Sequence, residues 1–204
     1  MNHHIERYFS LGELTTEEPQ NDSPGRLTGY VNKWGVRSHD RGGYLDTFRA
    51  TAFSNLSESS HDVKAYLDHN DGHNGRPLIY LGRTPVNLKL TPDAIGLRFS
   101  LDLPNTQQGR DTAELQKAGH FNGMSFGYLP GQYNWTKENG VPVREHTSGT
   151  LIEVSVVFDP AFPKTNVQLN ALSDPDEETL ESLQRFLGTP NRDFAERVLR
   201  LKKK

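Results

Sequence analysis

The chain has 204 residues, 33% of them hydrophobic, which suits one compact domain with appended segments better than two domains. Acidic and basic residues nearly balance at a net charge of −3, so no global positive field draws the chain to nucleic acid or anionic lipid, and neither is expected as a partner. The absence of cysteine excludes a disulfide framework, a thiol nucleophile and thiolate metal ligation.

The opening stretch MNHHIERYFSLGELTTEEPQ has charges scattered among its apolar residues and no run long enough for a signal peptide or a membrane span, so a soluble, unexported chain is expected. Residues 15–25, TTEEPQNDSPG, are polar with two prolines. Residues 1–25 are therefore expected to be a partly flexible lead-in, with the folded domain starting near Arg26 and running to residue 170.

From Arg26 onward apolar residues alternate at the period of half-buried strands: Leu27 and Val31 about Gly29, then Val86, Leu88 and Leu90, then Leu97, Phe99, Leu101 and Leu103. The stretch 60–67 is ambiguous, because Ser60 suits a helix cap while Val63, Ala65, Leu67 and His69 alternate as in a strand; the strand is preferred. A helix is expected where Asp111 caps, Glu114 completes a capping box and Gly119 stops the turn. The run 151–158 is apolar on both faces except at Glu153 and Ser155, which predicts a strand buried on both sides. Asp174-Pro175-Asp176-Glu177 starts a second helix with Leu180, Leu183 and Leu187 at helical spacing, and Phe194, Val198 and Leu201 suggest a further amphipathic piece. Residues 171–204 thus read as a helical appendage packed on the domain, or more sharply as a detachable arm. The fold class expected is mainly β with flanking helices, α+β.

Gly123-Met124-Ser125-Phe126-Gly127 matches G-x-S-x-G, in which flanking glycines permit a tight turn that exposes the serine hydroxyl. The α/β-hydrolase version of that turn is disfavoured: Tyr128-Leu129-Pro130-Gly131 breaks the helix that should follow, and the downstream His146 lies in a polar, loop-like stretch. On the pentapeptide alone, a glycine-rich strand or turn with a buried, hydrogen-bonded serine is the simpler reading. Asp68-His69-Asn70-Asp71-Gly72-His73 has the residues of a metal site without its spacing, since H-E-x-x-H is absent and Ile79 stands where a calcium loop needs its acidic ligand. No metal or other cofactor is expected. His69 differs from its neighbours in closing an apolar segment. Glu153, in a strand too apolar to be solvated, needs a buried partner, either an imidazole or an Arg or Lys.

Taken together these segments resemble the HK97-type prohead protease family of tailed bacteriophages. The likeness runs through Gly29-Tyr30-Val31, Gly42-Gly43-Tyr44 and 48–53 (FRATAF), then 63–70 (VKAYLDHN) with Leu81-Gly82-Arg83. It continues through Asp93, 96–99 (GLRF), Leu103-Pro104 and Gly109-Arg110-Asp111 to Gly123-Met124-Ser125-Phe126-Gly127-Tyr128, and ends with 151–157 and Pro160-Ala161-Phe162-Pro163. It covers about residues 26–169, and departs in the run 70–77, which is longer than the short link common there.

That resemblance implies a closed or partly closed antiparallel β-barrel of the type seen in herpesvirus assembly proteases, and a serine endopeptidase that cleaves scaffold and capsid precursors, and itself, inside the immature capsid in the host cytoplasm. It implies His69 as general base and Ser125 as nucleophile, with Glu153 orienting His69; Ser155, on the same strand face as Glu153, is the competitor for that third role. The partners implied are the major capsid protein precursor, scaffold segments and the chain itself as a substrate, while a homo-oligomer stays an open alternative. The competing classes are a catalytically silent capsid-assembly or scaffold module with the same fold, and an unrelated esterase.

Overall fold

Period-two alternation produces thirteen strands in the computed structural model, which describes residues 5–11, 14–17, 22–57, 62–68, 79–158, 169–171 and 175–188. The strands are β1 (Glu6–Leu11), β2 (Thr15–Glu17), β3 (Arg26–Lys33), β4 (Leu45–Phe48), β5 (Lys64–Leu67), β6 (Ile79–Arg83), β7 (Leu88–Pro92) and β8 (Gly96–Asp102), followed by β9 (Phe121–Pro130), β10 (Tyr133–Glu138), β11 (Val141–His146), β12 (Gly149–Phe158) and β13 (Leu169–Ala171). A 3₁₀ segment, Ala50–Ser57, follows β4, and α1 (Gln107–Lys117) and α2 (Glu177–Leu187) are the α-helices among the described residues, giving an α+β architecture.

These strands form three sheets: a six-stranded one in the order β13-β1-β9-β12-β5-β6, a four-stranded one, β2-β3-β8-β7, and a three-stranded one, β10-β11-β4. Pairing is antiparallel except where β12 meets β5 and β11 meets β4. The expected barrel is not formed by the described residues. A barrel needs one ladder that runs round and closes on itself, whereas each sheet here is open and the largest ends on β13 and β6.

Aromatic residues fill the core between the sheets. Tyr8 stacks on Phe126 with centroids 5.3 Å apart, and Phe48 meets Phe126 and Tyr128 edge-on at 5.4 and 5.2 Å. Leu27, Val31, Leu97, Phe99 and Leu101, which the alternation places on one face of β3 and β8, are all buried in the same cluster. Burying each such side chain contributes about 1.5–3 kcal/mol.

Three local expectations shift. Helix α1 begins ahead of Asp111, because Thr106 is the cap: its Oγ1 accepts from the Gly109 amide at 3.2 Å, while Asp111 sits inside the helix and accepts from Gln107. Gly119 does follow its end, at φ +78°. Val86 belongs to a turn and is 71% exposed, so the strand starts at Leu88. Glu6–Leu11, within the expected lead-in, is a strand paired on both sides. The ambiguous segment is a strand at Lys64–Leu67, and α2 starts where expected, with the Asp176 carboxylate accepting from the Thr179 amide at 2.8 Å. The piece around Phe194, Val198 and Leu201 lies outside the described residues.

Helix α2 is docked on the β10–β11 hairpin. Leu183 is fully buried, Phe186 stacks on Trp135 at 5.9 Å, and the Trp135 indole donates to Ser182 Oγ at 2.8 Å. The apolar stripe that predicted a helix also supplies its packing face.

Candidate active site

Ser125 lies in the middle of β9, a central strand of the six-stranded sheet, and not on a turn. Pairing puts Phe9 of β1 on one side of it and Ser155 of β12 on the other, with Tyr66 of β5 next in the row. A neighbouring row holds Arg7, Gly127, Glu153 and Lys64. Because side chains alternate across a strand, residues of these two rows share one face of the sheet, while Tyr8, Met124, Phe126, Val154 and Val156 point into the core on the other.

A β-bulge makes this possible. Leu151 pairs with Tyr128 but Glu153 pairs with Gly127, so Ile152 is an extra residue that reverses the face of everything after it. Glu153 is thereby brought beside Ser155 on the Ser125 face. The second glycine of the pentapeptide makes room for this acid. A Cβ at Gly127 would stand 2.8 Å from Glu153 Cγ, so glycine lets the Glu153 side chain lie across β9. There the Glu153 carboxylate accepts from Arg7 Nε at 3.2 Å, in a pair that is 16% and 31% exposed at the two side chains.

Ser125 is fully buried, and its hydroxyl donates to the main-chain carbonyl of Tyr8 at 2.5 Å. Ser155 is 1% exposed, and its hydroxyl has no hydrogen-bond partner among the described residues. His69 lies outside the described residues. Its chain neighbour Asp68 is described: the Asp68 amide donates to Val156 O at 2.7 Å, which carries the end of β5 alongside Ser155. Ser125, Glu153 and Ser155 are thus brought together on one face, and Arg7 is a member that the sequence did not signal.

The opposite face of β1 carries a cluster of buried charged side chains. Arg144, fully buried, donates to Glu6, Asp46, Tyr8 and Thr179 Oγ1, and Arg41 donates to Glu6, Tyr8 and Asp46. Burial works to raise the Asp46 carboxyl, yet the Arg144 guanidinium and the His146 hydrogen bond hold it well below the usual carboxylate range; Glu6 is lowered on the same grounds by Arg144. Burial and the Arg144 charge push His146 below its ordinary value of 6.5, so the ring is neutral and its Nε2 hydrogen serves the Asp46 carboxylate at 3.2 Å. Glu6, Asp46 and His146 have the geometry of a metal trio, but two guanidinium groups already occupy the carboxylate oxygens.

His146, expected in a loop, is instead buried on β11. The Asp46–His146 pair cannot act on Ser125, since it packs against the Tyr8 and Phe48 rings on the core side of the sheet while the Ser125 side chain points the other way. The alternation of charge in 141–146 (VPVREH) gives no hint of an ion cluster whose members come from strands about 40 to 140 residues apart.

The model of one protein family, described as caudovirus prohead serine protease, matches residues 12–179. No curated protein and no solved structure matches the chain.

Proposed function

This chain belongs to the caudovirus prohead serine protease family, and on that premise we propose that Ser125 is its nucleophile, His69 its general base and Glu153 the acid that supports the base. The protein is a serine peptidase of phage prohead maturation, acting on capsid precursors inside the procapsid. Its further substrates are scaffold segments and its own chain.

The observation that carries the site reading is the juxtaposition of Ser125, Ser155 and Glu153 on one face of β9 and β12, beside the end of β5 that leads into His69. In the reaction, His69 takes the Ser125 proton, the Ser125 oxygen adds to a peptide carbonyl, the C–N bond breaks as the amine leaves with that proton, and water then hydrolyses the acyl-enzyme to restore Ser125. The geometry described is a resting one. The Tyr8 carbonyl holds the Ser125 proton and cannot serve as a base, so the hydroxyl has to rotate away from β1, and the covered face has to open, before substrate is attacked.

The competing reading, a catalytically silent assembly module that retains the fold, is not favoured by the match to a serine protease family. The two separate when the chain is co-produced with the capsid precursor of the same phage and the precursor is weighed by mass spectrometry. A protease shortens the precursor and its Ser125→Ala variant does not. Precursor left intact by both would establish the silent module.

A further inference from the structure

We infer that Ser155 is a catalytic residue of this site, whose hydroxyl, without a partner among the described residues, donates to the oxyanion formed at Ser125; this rests on the assignment of Ser125 as nucleophile. Three observations converge. Ser155 is the direct cross-strand partner of Ser125 in the β9–β12 ladder, and side chains so paired stand about 4.5–5.5 Å apart at Cβ. Its hydroxyl is buried and has no hydrogen-bond partner among the described residues, an arrangement that folding disfavours and that therefore calls for a use. Its two polar neighbours in the β9–β12 ladder are engaged elsewhere: the Ser125 hydroxyl with Tyr8 O, and the Glu153 carboxylate with Arg7.

The chemistry follows from what appears at Ser125 during acylation. The Ser125 oxygen forms a bond to the substrate carbonyl carbon, the π pair of that carbonyl moves onto its oxygen, and the serine proton passes to the general base. The new oxyanion is two bonds from the Ser125 oxygen, within the span of the neighbouring Ser155 hydroxyl, whose hydrogen no acceptor among the described residues holds. A donor fixed in a water-poor site and aimed at charge that exists only in the transition state raises turnover without tightening ground-state binding. Burial of Ser155 in the sheet supplies that fixity.

Ser155→Ala is the test, read in three ways on the full chain. Turnover of capsid precursor should fall about 10²- to 10³-fold with KM unchanged. The rate at which diisopropyl fluorophosphate labels Ser125 should fall by a comparable factor, because the phosphoryl oxygen uses the same donor as fluoride leaves. The thermal midpoint should hold or rise, since a buried hydroxyl with no partner among the described residues has been removed. Turnover and labelling within threefold of the parent, with Ser125→Ala inactive, would overturn this role for Ser155 alone. A lowered midpoint would overturn it as well, by showing that the hydroxyl serves the fold. Full activity of Ser125→Ala would instead remove the nucleophile on which the inference rests.

Discussion

The hydroxyl of Ser125 donates to the main-chain carbonyl of Tyr8 at 2.5 Å, while the Tyr8 phenol lies on the other side of the same strand among Glu6, Asp46, Arg41 and Arg144. One residue of β1 therefore joins the candidate nucleophile to the buried ion cluster. Strand β1 cannot leave the sheet without stripping partners from two buried arginines, so it is a fixed wall of the site. Changes in the cluster should act first on stability and only through β1 on activity.

Arg144→Met should cost about 3–5 kcal/mol, because it leaves Glu6 and Asp46 buried with only Arg41 to compensate them. Urea unfolding midpoints of the two proteins measure this. The variant should also lose part of its hold on α2, since the Arg144–Thr179 hydrogen bond at 2.7 Å goes with it.

Acid should destabilise the fold in two stages. His146 and the two carboxylates all have folded values below their ordinary ones, so in each case the unfolded chain takes up protons more readily as pH falls. The His146 contribution is complete above its ordinary value of 6.5 and is lost as pH drops below it; those of Glu6 and Asp46 are complete above 4.5 and 3.8 and are lost below. Each titrating group adds a slope of up to about 1.4 kcal/mol per pH unit. Stability followed by urea titration from pH 8 to 2 should fall from near neutrality downward, and His146→Gln should remove the upper stage while leaving the lower one.

Gly127→Ala should destabilise the protein by about 1–3 kcal/mol, through the close approach of the added methyl to Glu153 Cγ. The same change made in a Glu153→Ala background should be nearly neutral. This double-mutant cycle separates a glycine needed for the acid from one needed for a turn. Equal costs in both backgrounds would show that the backbone of β9 itself demands glycine.

Much of this arrangement is legible in the sequence where the physics is local. Alternation finds β3 and β8, the run 151–158 apolar on both faces finds β12, and the Asp174-Pro175-Asp176-Glu177 start with leucines at helical spacing finds α2. What escapes is set by partners distant in sequence. Residues 6–8 (ERY) look polar and surface-bound until Arg144, more than 130 residues on, neutralises Glu6 inside the core. His146 looks like a loop residue because the charged stretch around it gives no sign of Asp46. At the site, the sequence places Ser125 and Glu153 on strands or turns that need each other. It does not foretell the bulge at Ile152, which decides that Glu153 and Ser155 share the Ser125 face.

At high concentration the active protein should trim itself in or near residues 170–190, whereas Ser125→Ala should keep its full 23.0 kDa. Intact mass followed over time on both proteins reads this directly. Because α2 is tied to the domain through Thr179, Ser182, Leu183 and Phe186, the trimmed form should also unfold at lower urea. An active enzyme that cleaves capsid precursor and stays at full mass would make residues 171–204 a lasting part of the molecule.

The most direct test of the proposed site is the rate of capsid-precursor cleavage by the parent, Ser125→Ala, His69→Ala and the double variant, each shown to be folded. Nucleophile and base act as one unit, so each single change should lower the rate about 10⁴- to 10⁶-fold, and the double variant should be no slower than either. Cleavage by Ser125→Ala within tenfold of the parent, or single losses that multiply in the double variant, would contradict it.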